Sequence, residues 1–486
     1  MSADPFAGLQ PELLWQHFAA FTKIARPSGQ EEAARAYVEE WARSKGYELE
    51  KDATGNLCVH VPGSPGKEDA PVVVLQGHLD MVCERDSDSP YDAQQGRLKV
   101  VRDGEWIRAE GTTLGADNAI GVAAGMAAAD DSSLVHGPLD LLMTIDEETG
   151  MSGAIGLDAG MVRGRVMLNL DSEEDGTLYV GCAGGCDTKM ALTFVREVAP
   201  EGSVFVRLAL AGLRGGHSGL DINNNRLNSI RALARILQHA SEKVSLRLHA
   251  IEGGSMRNAI PREASAVLAL AEGDRNALEA AAEDMRALLA TQYAGLDDGL
   301  SVSIEPVSAP GKVFSAVDSA RVLSLLRAIP SGVVAMSQDI DNLVETSTNL
   351  GVLTTDGDTL RIICCSRSSV APALRDVLDT LQAVGILAGA EVVEHGGYPG
   401  WKPDMESRVL RIAREASQRL FGENPAVMAI HAGLECGLLG ERIPGMDMIS
   451  FGPDIRSAHA PGERVNIRTV ERFWSLLGAV LAELAA

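Results

Sequence analysis

Residues 72–80 read VVVLQGHLD, an apolar run that ends in a histidine and an aspartate separated by one residue. A short continuous apolar run bounded by polar and turn residues predicts a buried strand. His78 and Asp80 are two positions apart, so an extended chain presents both on the same face. The stretch therefore predicts a sheet strand with a pair of polar side chains at its carboxyl end.

The same arrangement recurs along the chain, because further β-rich runs at 57–61, 139–144 and 166–170 alternate with helical periodicity at 13–21, 31–45 and 118–129. This alternation predicts an α/β fold with a mostly parallel sheet. Polar residues follow several of the runs: Glu147 and Glu148, Asp171, and, beyond 446–450, His459. The carboxyl ends of parallel strands form the binding crevice of an open sheet, so we expect these side chains to converge.

The texture changes after the glycine-rich stretch 181–185 to strands of alternating pattern, such as 204–210, interleaved with helices at 226–242, 275–293 and 371–388. We interpret residues 187–390 as a large inserted α+β lid or dimerisation-type domain with two αβ subdomains. Residues 1–186 would form the first part of the catalytic domain and residues 391–486 the second.

The charge balance excludes two classes of partner. The 486 residues include 43 Lys and Arg against 67 Asp and Glu, for a formal net charge of −24. Such a chain would repel nucleic acid and an anionic membrane surface. The seven cysteines form no repeating framework, and neither a secretory signal nor an apolar stretch of ~20 residues is evident. We therefore expect a cytoplasmic protein with reduced thiols.

The polar residues at the strand ends form a mixed nitrogen and oxygen set that suits zinc, and carboxylates can bridge two ions. Each residue alone has a simpler reading. Asp117, in GTTLGADN (111–118), could be a helix-capping residue, and the acids at 146–148 could form a solvated turn. Two adjacent glutamates would nevertheless let one coordinate a metal while the other accepts a proton.

A series of motifs, taken together, indicates a function for these polar residues. In chain order they are GHLDMV (77–82), GTTLGADN (111–118), DEETGMSGA (146–154), LDSEE (170–174), GGHSG (215–219), MRNAIPREA (256–264), HAGLECG (431–437) and the late His459. Together they resemble the aminoacyl-histidine dipeptidases, also described as cytosolic nonspecific dipeptidases, of the dinuclear zinc peptidase and aminoacylase clan. The resemblance extends from about residue 13 to 477.

This resemblance implies two Zn²⁺ ions, for which Mn²⁺ or Co²⁺ could substitute. The implied metal ligands are His78, Asp117, Glu148, Asp171 and His459, with Asp117 as the bridging carboxylate. Glu147 would be the general base. Asp80 would orient the His78 ring and support Glu147, and His217 would donate a hydrogen bond to the oxyanion.

The implied reaction is the hydrolysis of small peptides, namely dipeptides with a free C-terminus, including Xaa-His such as carnosine. The residues assigned to substrate are Arg257, Asn258, Arg367, Gly433 and Glu435, with Arg367 on the C-terminal carboxylate. A homodimer through the inserted domain is a further expectation. N-acyl amino acid deacylation, tripeptide aminopeptidase action and a non-catalytic metal-binding scaffold remain open alternatives, as do the roles of Glu173 and Glu174.

Overall fold

The computed structural model describes residues 4–309 and 311–486, which divide into two compact units. The first unit contains the described residues up to Gly181, together with Trp401–Ala429 and Leu434–Ala486. The second contains Cys182–Gly400 and Ile430–Gly433. Each unit is thus assembled from segments that are discontinuous in sequence.

An eight-stranded sheet forms the centre of the first unit. In spatial order its strands are Glu48–Lys51, Leu57–Val61, Leu139–Thr144, Val73–His78, Val166–Asn169, Asp447–Ser450, Thr177–Cys182 and Ala426–Ile430. The four middle strands, from Leu139–Thr144 to Asp447–Ser450, are parallel. The strands that flank these four pair with them in antiparallel orientation. The α/β class predicted from the sequence is confirmed, and the sheet is mixed with a parallel centre.

Burial explains why these strands were visible in the sequence. Every residue of Val73–His78 and of Leu139–Thr144 is buried. Parallel strands covered on both faces read as continuous apolar runs.

The longer helices of this unit are Glu12–Phe21, Glu32–Lys45, Ala116–Asp130, Arg408–Phe421, Glu435–Arg442 and Ile467–Leu484. Short helices Glu147–Gly150 and Ser152–Gly156 follow strand Leu139–Thr144.

A second, four-stranded sheet in the first unit positions the late histidine. Its strands, in spatial order, are Ile455–Arg456, Arg464–Asn466, Trp106–Ala109 and Val100–Asp103. The first two pair in antiparallel register, so residues 457–463 form the connection between them. His459 lies in this connection with a φ of 64°, a left-handed conformation that is uncommon for a residue other than glycine.

The second unit is built on a mainly antiparallel nine-stranded sheet. Along the sheet the strands are Ser301–Pro306, Ser203–Ala211, Ala264–Ala271, Arg247–Gly253, Val344–Asp356, Thr359–Ser368, Gly184–Thr193 and Glu391–Tyr398, with Gly332–Met336 paired to Val344–Asp356. Short two-stranded pairings join Glu197–Val198 to Lys312–Val313 and Gly216–His217 to Ala259–Ile260. The helices of this unit are Ser229–Ser241, Arg275–Gln292, Ala316–Ala328 and Ala371–Leu387. Buried apolar residues of strands and helices form a large core, and Ile222, Ile260 and Val344 form a smaller cluster.

Helix ends follow from local capping. The Ser407 hydroxyl accepts the N–H of Leu410 at the start of Arg408–Phe421, and Gly422 ends that helix with a φ of 71°. Asn228 and Asn466 cap the helices that follow them in the same way. Among the described helices, none combines the length and the apolar character needed to cross a bilayer.

Candidate active site

His78 ends the central strand Val73–His78, and the Asp80 carboxylate lies next to the Nδ1 atom of its ring. Asp80 Oδ1 is 3.3 Å from His78 Nδ1, while Ser28 Oγ donates to Asp80 Oδ2 at 2.7 Å. The same carboxylate accepts the backbone N–H groups of Glu147 and Glu148 at 3.1 and 3.2 Å. One buried acid therefore orients both the histidine and the Glu147–Glu148 turn.

Asp117 lies at the start of helix Ala116–Asp130 in a non-helical conformation, and a residue that the sequence did not single out supports its loop. The carboxylate of Glu463 accepts the N–H groups of Leu114, Gly115 and Ala116 at 2.7, 2.8 and 2.7 Å. A fourth N–H, that of Asp117, donates to it at 3.3 Å. This network fixes the loop and leaves the Asp117 side chain free to turn outward.

The two oxygens of Asp117 face two different histidines. Oδ1 is 3.0 Å from His78 Nε2, and Oδ2 is 3.1 Å from His459 Nε2. Asp171 Oδ1 lies 3.3 Å from the same His78 nitrogen, and Glu148 Oε2 lies 2.9 Å from the same His459 nitrogen. The five residues thus form two adjacent donor sets, His78–Asp117–Asp171 and Asp117–Glu148–His459, each with ligand atoms within 4.8 Å of one another.

These donor sets fit divalent cations. Each combines one imidazole with carboxylates, the ligand chemistry of zinc sites. The buried oxygen Glu148 Oε1 has no hydrogen-bond partner among the described residues, which suits a metal ligand. Burial, together with the neighbouring Asp117 and Glu148 carboxylates, raises the pKa of Asp171 to about 7. A bound cation would relieve that repulsion.

Glu147 is not a member of the bridged pair of donor sets. Burial and the neighbouring acids Asp171, Glu435 and Glu148 raise its pKa well above the ordinary value, although His78 opposes the shift. A carboxylate with a raised pKa that lies next to a metal centre can both accept and return a proton.

Three other acids follow different patterns. Glu173 belongs to the electrostatic environment of the centre, because burial and the Asp117 and Asp171 charges raise its pKa to about 8. Glu174 instead accepts a hydrogen bond from the Tyr179 hydroxyl at 3.2 Å. Glu435, which the sequence assigned to substrate, is 1% exposed. Its Oε2 accepts hydrogen bonds from the side chains of Gln76 and Thr144 at 2.7 and 2.6 Å.

In the second unit, the hydrogen bonds of His217 define its protonation. Its Nδ1 receives the backbone N–H groups of Gly219 and Leu220 at 3.3 and 3.0 Å. A backbone N–H can only donate, so Nδ1 is the acceptor and Nε2 carries the proton of the neutral ring. Burial and the Arg367 charge lower the pKa of His217, which favours the neutral form. The ring therefore has one N–H that can donate to a ligand.

The residues assigned to substrate in the second unit differ in whether their polar groups already have partners within the protein. Arg367 is 6% exposed and donates from Nη1 to the Tyr398 hydroxyl at 3.0 Å, while its Nε has no partner among the described residues. Arg257 forms an ion pair with Asp187 at 3.2 Å. The backbone oxygen of Asn258 accepts the Ser218 N–H at 2.8 Å, and Gly433 ends the short segment Ile430–Gly433.

Two supporting residues of the first unit escaped the sequence analysis. Glu463 has only its position four residues after His459 as a signal. Arg26 is 1% exposed and donates to the backbone oxygens of Leu79 and Asp80 at 3.0 and 2.6 Å, and also to that of Gly115. It joins the two loops that carry His78 and Asp117, and nothing in its local sequence indicates this.

Two known proteins are similar to this chain over nearly its whole length. The chain is 40% identical over 478 residues to the cytosol non-specific dipeptidase of Escherichia coli (strain K12), covering 98% of this chain and 99% of that protein. It superposes on the crystal structure of aminoacylhistidine dipeptidase from Vibrio alginolyticus with a TM-score of 0.94 and 41% identity, covering 99% and 98% of the two chains.

A Bacillus cereus aminopeptidase shares the fold with a TM-score of 0.58 at 15% identity, over 98% of this chain and 100% of that one. Residues 74–483 match the sequence pattern of a peptidase family. This match covers most of the chain and includes every proposed metal ligand. The chain therefore belongs to peptidase family M20/M25/M40.

Proposed function

We propose that this protein is a metal-dependent dipeptidase that hydrolyses dipeptides with a free C-terminus, including Xaa-His dipeptides such as carnosine. The observation that carries the proposal is the Asp117 carboxylate, whose two oxygens face His78 and His459, with Glu147 close to His78 and Glu148. The similarity to two proteins named as dipeptidases supports the choice of substrate.

The proposed cofactors are two Zn²⁺ ions, with Mn²⁺ or Co²⁺ able to substitute. One would be held by His78, Asp117 and Asp171, and the other by Asp117, Glu148 and His459. When bound, such ions polarise a carbonyl oxygen and lower the pKa of water toward ~7.

The protein's own groups then have distinct tasks. Glu147 accepts the proton of the attacking water and returns it to the departing amine. Asp80 does not touch the substrate and acts by positioning His78 and the backbone of Glu147. His217 donates its Nε2 proton to the developing oxyanion, a task that its accepting Nδ1 leaves open.

Arg367 is proposed to bind the C-terminal carboxylate of the substrate, because its buried Nε lacks a partner among the described residues and a guanidinium matches a carboxylate in a planar, bidentate manner. We assign Asn258 and Gly433 to the peptide backbone. Arg257 and Glu435 complete the proposed substrate set, although both already have protein partners.

Three further proposals concern the protein as a whole. Residues 187–390 would form a lid that brings His217, Asn258 and Arg367 to the substrate, flanked by catalytic segments 1–186 and 391–486. The same domain would support a homodimer. We place the protein in the cytoplasm, in keeping with the name of its E. coli relative.

A substrate panel on zinc-loaded protein tests the proposal. The panel compares kcat/KM for β-alanyl-histidine, glycyl-leucine, their C-terminal amides, a tripeptide and N-acetyl-histidine. We expect the free dipeptides to be cleaved fastest. Amides should be slower by roughly 10²-fold or more, because a desolvated guanidinium without its carboxylate is unfavourable. The Arg367→Ala variant should lose most of this discrimination.

The same panel separates the alternatives. Faster cleavage of N-acetyl-histidine would indicate a deacylase, and faster cleavage of the tripeptide an aminopeptidase. Equal rates for free and amidated dipeptides would contradict the role of Arg367. Hydrolysis at full rate after complete metal removal would contradict the metal dependence, and no hydrolysis of any substrate by zinc-loaded protein would favour a binding scaffold.

A further inference from the structure

A cavity of about 620 Å³ in the second unit is lined by four arginines and by no aspartate or glutamate. It opens beside the start of helix Ser229–Ser241, and Arg226, Arg231 and Arg235 reach it from the helix and the turn before it. Arg327 reaches it from the last turn of helix Ala316–Ala328. Acids outnumber bases in the chain by 67 to 43, so a wall of this composition is unusual for this protein.

Among the residues that the structure describes, three of these arginines have only neutral hydrogen-bond partners. Arg231 donates to the backbone oxygen of Ile329 at 3.2 Å, Arg235 to Gln292 Oε1 at 2.7 Å, and Arg327 to Gln238 Oε1 at 3.1 Å. Each uses one nitrogen, which leaves further N–H donors on every guanidinium. Of the four arginines that line the cavity, only Arg226 has an ion-pair partner among the described residues, namely Asp221.

The arrangement is electrostatically unfavourable in the absence of a ligand. Arg231 and Arg235 are four residues apart on one helix, a spacing at which like charges repel. Arg231 also lies in the first turn, where the helix dipole disfavours a cation. Burial, with repulsion from Arg327 and Arg235, lowers the pKa of the Arg231 guanidinium. A structural role alone would have been served by neutral or paired side chains.

The remaining walls indicate what could accompany an anion. The cavity is also lined by apolar residues, namely Ile222, Leu227, Ile260 and Leu296, and by the Tyr293 ring. Its volume is within the range of pockets that hold small organic ligands. An inorganic anion would leave most of this space and all of the apolar surface unused.

We propose that this cavity is a binding site for a small organic molecule that carries two or more negative charges, presented as phosphate or carboxylate groups, with Arg231, Arg235 and Arg327 as its recognition residues. Guanidinium groups bind both kinds of oxyanion through paired N–H donors. None of the residues assigned to peptide hydrolysis lines the cavity, and the proposal does not depend on that assignment.

Calorimetric titration of the zinc-loaded protein tests the proposal at constant ionic strength. The probes are fructose 1,6-bisphosphate, propane-1,2,3-tricarboxylate and inorganic phosphate. We expect saturable binding of one of the first two, more tightly than of inorganic phosphate. Arg231→Gln and Arg327→Gln should each weaken it about tenfold, because each removes charge-assisted hydrogen bonds. Arg286→Gln is the matched control, since Arg286 is paired with Glu283 on helix Arg275–Gln292 and does not line the cavity.

The variants also separate recognition from removal of metal by the probe, because chelation would be equal in all of them. If Arg231→Gln fails to fold, Arg235→Gln serves instead, because among the described residues Arg235 hydrogen-bonds through its side chain to Gln292 alone. It should unfold at the same or a higher temperature than the parent protein at low salt. Absence of saturable binding at millimolar concentrations of every probe would overturn the proposal. So would binding that is unchanged when Arg231 and Arg327 are both replaced.

Discussion

Replacement of Glu463 by alanine tests whether the Asp117 loop is held by one distant carboxylate. Glu463 is 2% exposed, and its two oxygens together accept four consecutive backbone N–H groups, from Leu114 to Asp117. Among the described residues, no other side chain accepts four backbone N–H groups of this loop. The substitution should therefore affect metal binding although Glu463 is not expected to touch a metal.

The magnitude follows from the donors that are left behind. A buried N–H without an acceptor costs about 1–3 kcal/mol, so four donors at the lower end amount to about 4 kcal/mol. Loss of one negative charge close to Asp117 offsets part of this, because that carboxylate contributes to the raised pKa of Glu463 after burial itself. We expect a decrease of about 3 kcal/mol in the free energy of unfolding and a metal affinity about 10–100-fold lower.

Two measurements check this prediction. Chemical denaturation of the metal-free protein gives the free energy of unfolding, and competition with a chelator gives the metal affinity. Glu463→Gln should be intermediate, because its amide oxygen still accepts one pair of N–H groups while its NH₂ faces the other pair. Glu471→Ala, at an exposed position of helix Ile467–Leu484, is the control. Unchanged stability and metal affinity in Glu463→Ala would refute the reasoning.

Further expectations concern the reaction and pH. Glu147→Gln should retain metal, measured by elemental analysis, and lose roughly 10²–10⁴-fold in kcat; normal turnover would exclude it as the base. His217→Ala should lower kcat by roughly 10²–10³-fold with little change in KM, and His217→Gln, which keeps an N–H donor, should recover part of the loss. A change confined to KM would make His217 a binding residue. Metal-free protein should lose thermal stability from about pH 5 to pH 8, because burial raises the pKa of Asp171 to about 7 and that of Glu173 to about 8. Acids with raised pKa values stabilise the fold only while protonated. Asp80 and Asp117, with lowered pKa values, are ionised throughout this range and add no slope. Zinc should abolish the slope, and a flat profile in metal-free protein would contradict the argument.

The sequence predicted best the parts of the fold that depend on local pattern. The predicted strands at 57–61 and 139–144 coincide with Leu57–Val61 and Leu139–Thr144, because strands buried on both faces are mainly apolar, here with His60 and Asp140 as buried exceptions. Helix Ala316–Ala328 was not predicted. Its apolar residues form no strong stripe, and its start depends on Ser315, whose hydroxyl accepts the N–H of Asp318.

Contacts between residues that are distant in sequence could not be predicted from local patterns. Arg257 was assigned to substrate from its motif, yet the structure pairs it with Asp187 from strand Gly184–Thr193. Glu463 and Arg26 support the centre through backbone groups. A backbone donor or acceptor that is distant in sequence leaves no local signature, so residues that act through such a group cannot be found by motif or composition.

The role of Asp117 depends both on its local sequence motif and on a contact with a residue distant in sequence. Its motif alone would suit a helix cap, but its carboxylate oxygens lie against His78 and His459 and not against the backbone N–H groups of the first helical turn. Glu463 supplies the acceptor that the exposed N–H groups of this turn need. The Asp117 carboxylate is thereby released from local hydrogen bonding, and each of its oxygens can face a different histidine. In the proposed two-metal site Asp117 would need both oxygens free of the backbone, and Glu463 supports that arrangement by accepting the N–H groups of the loop.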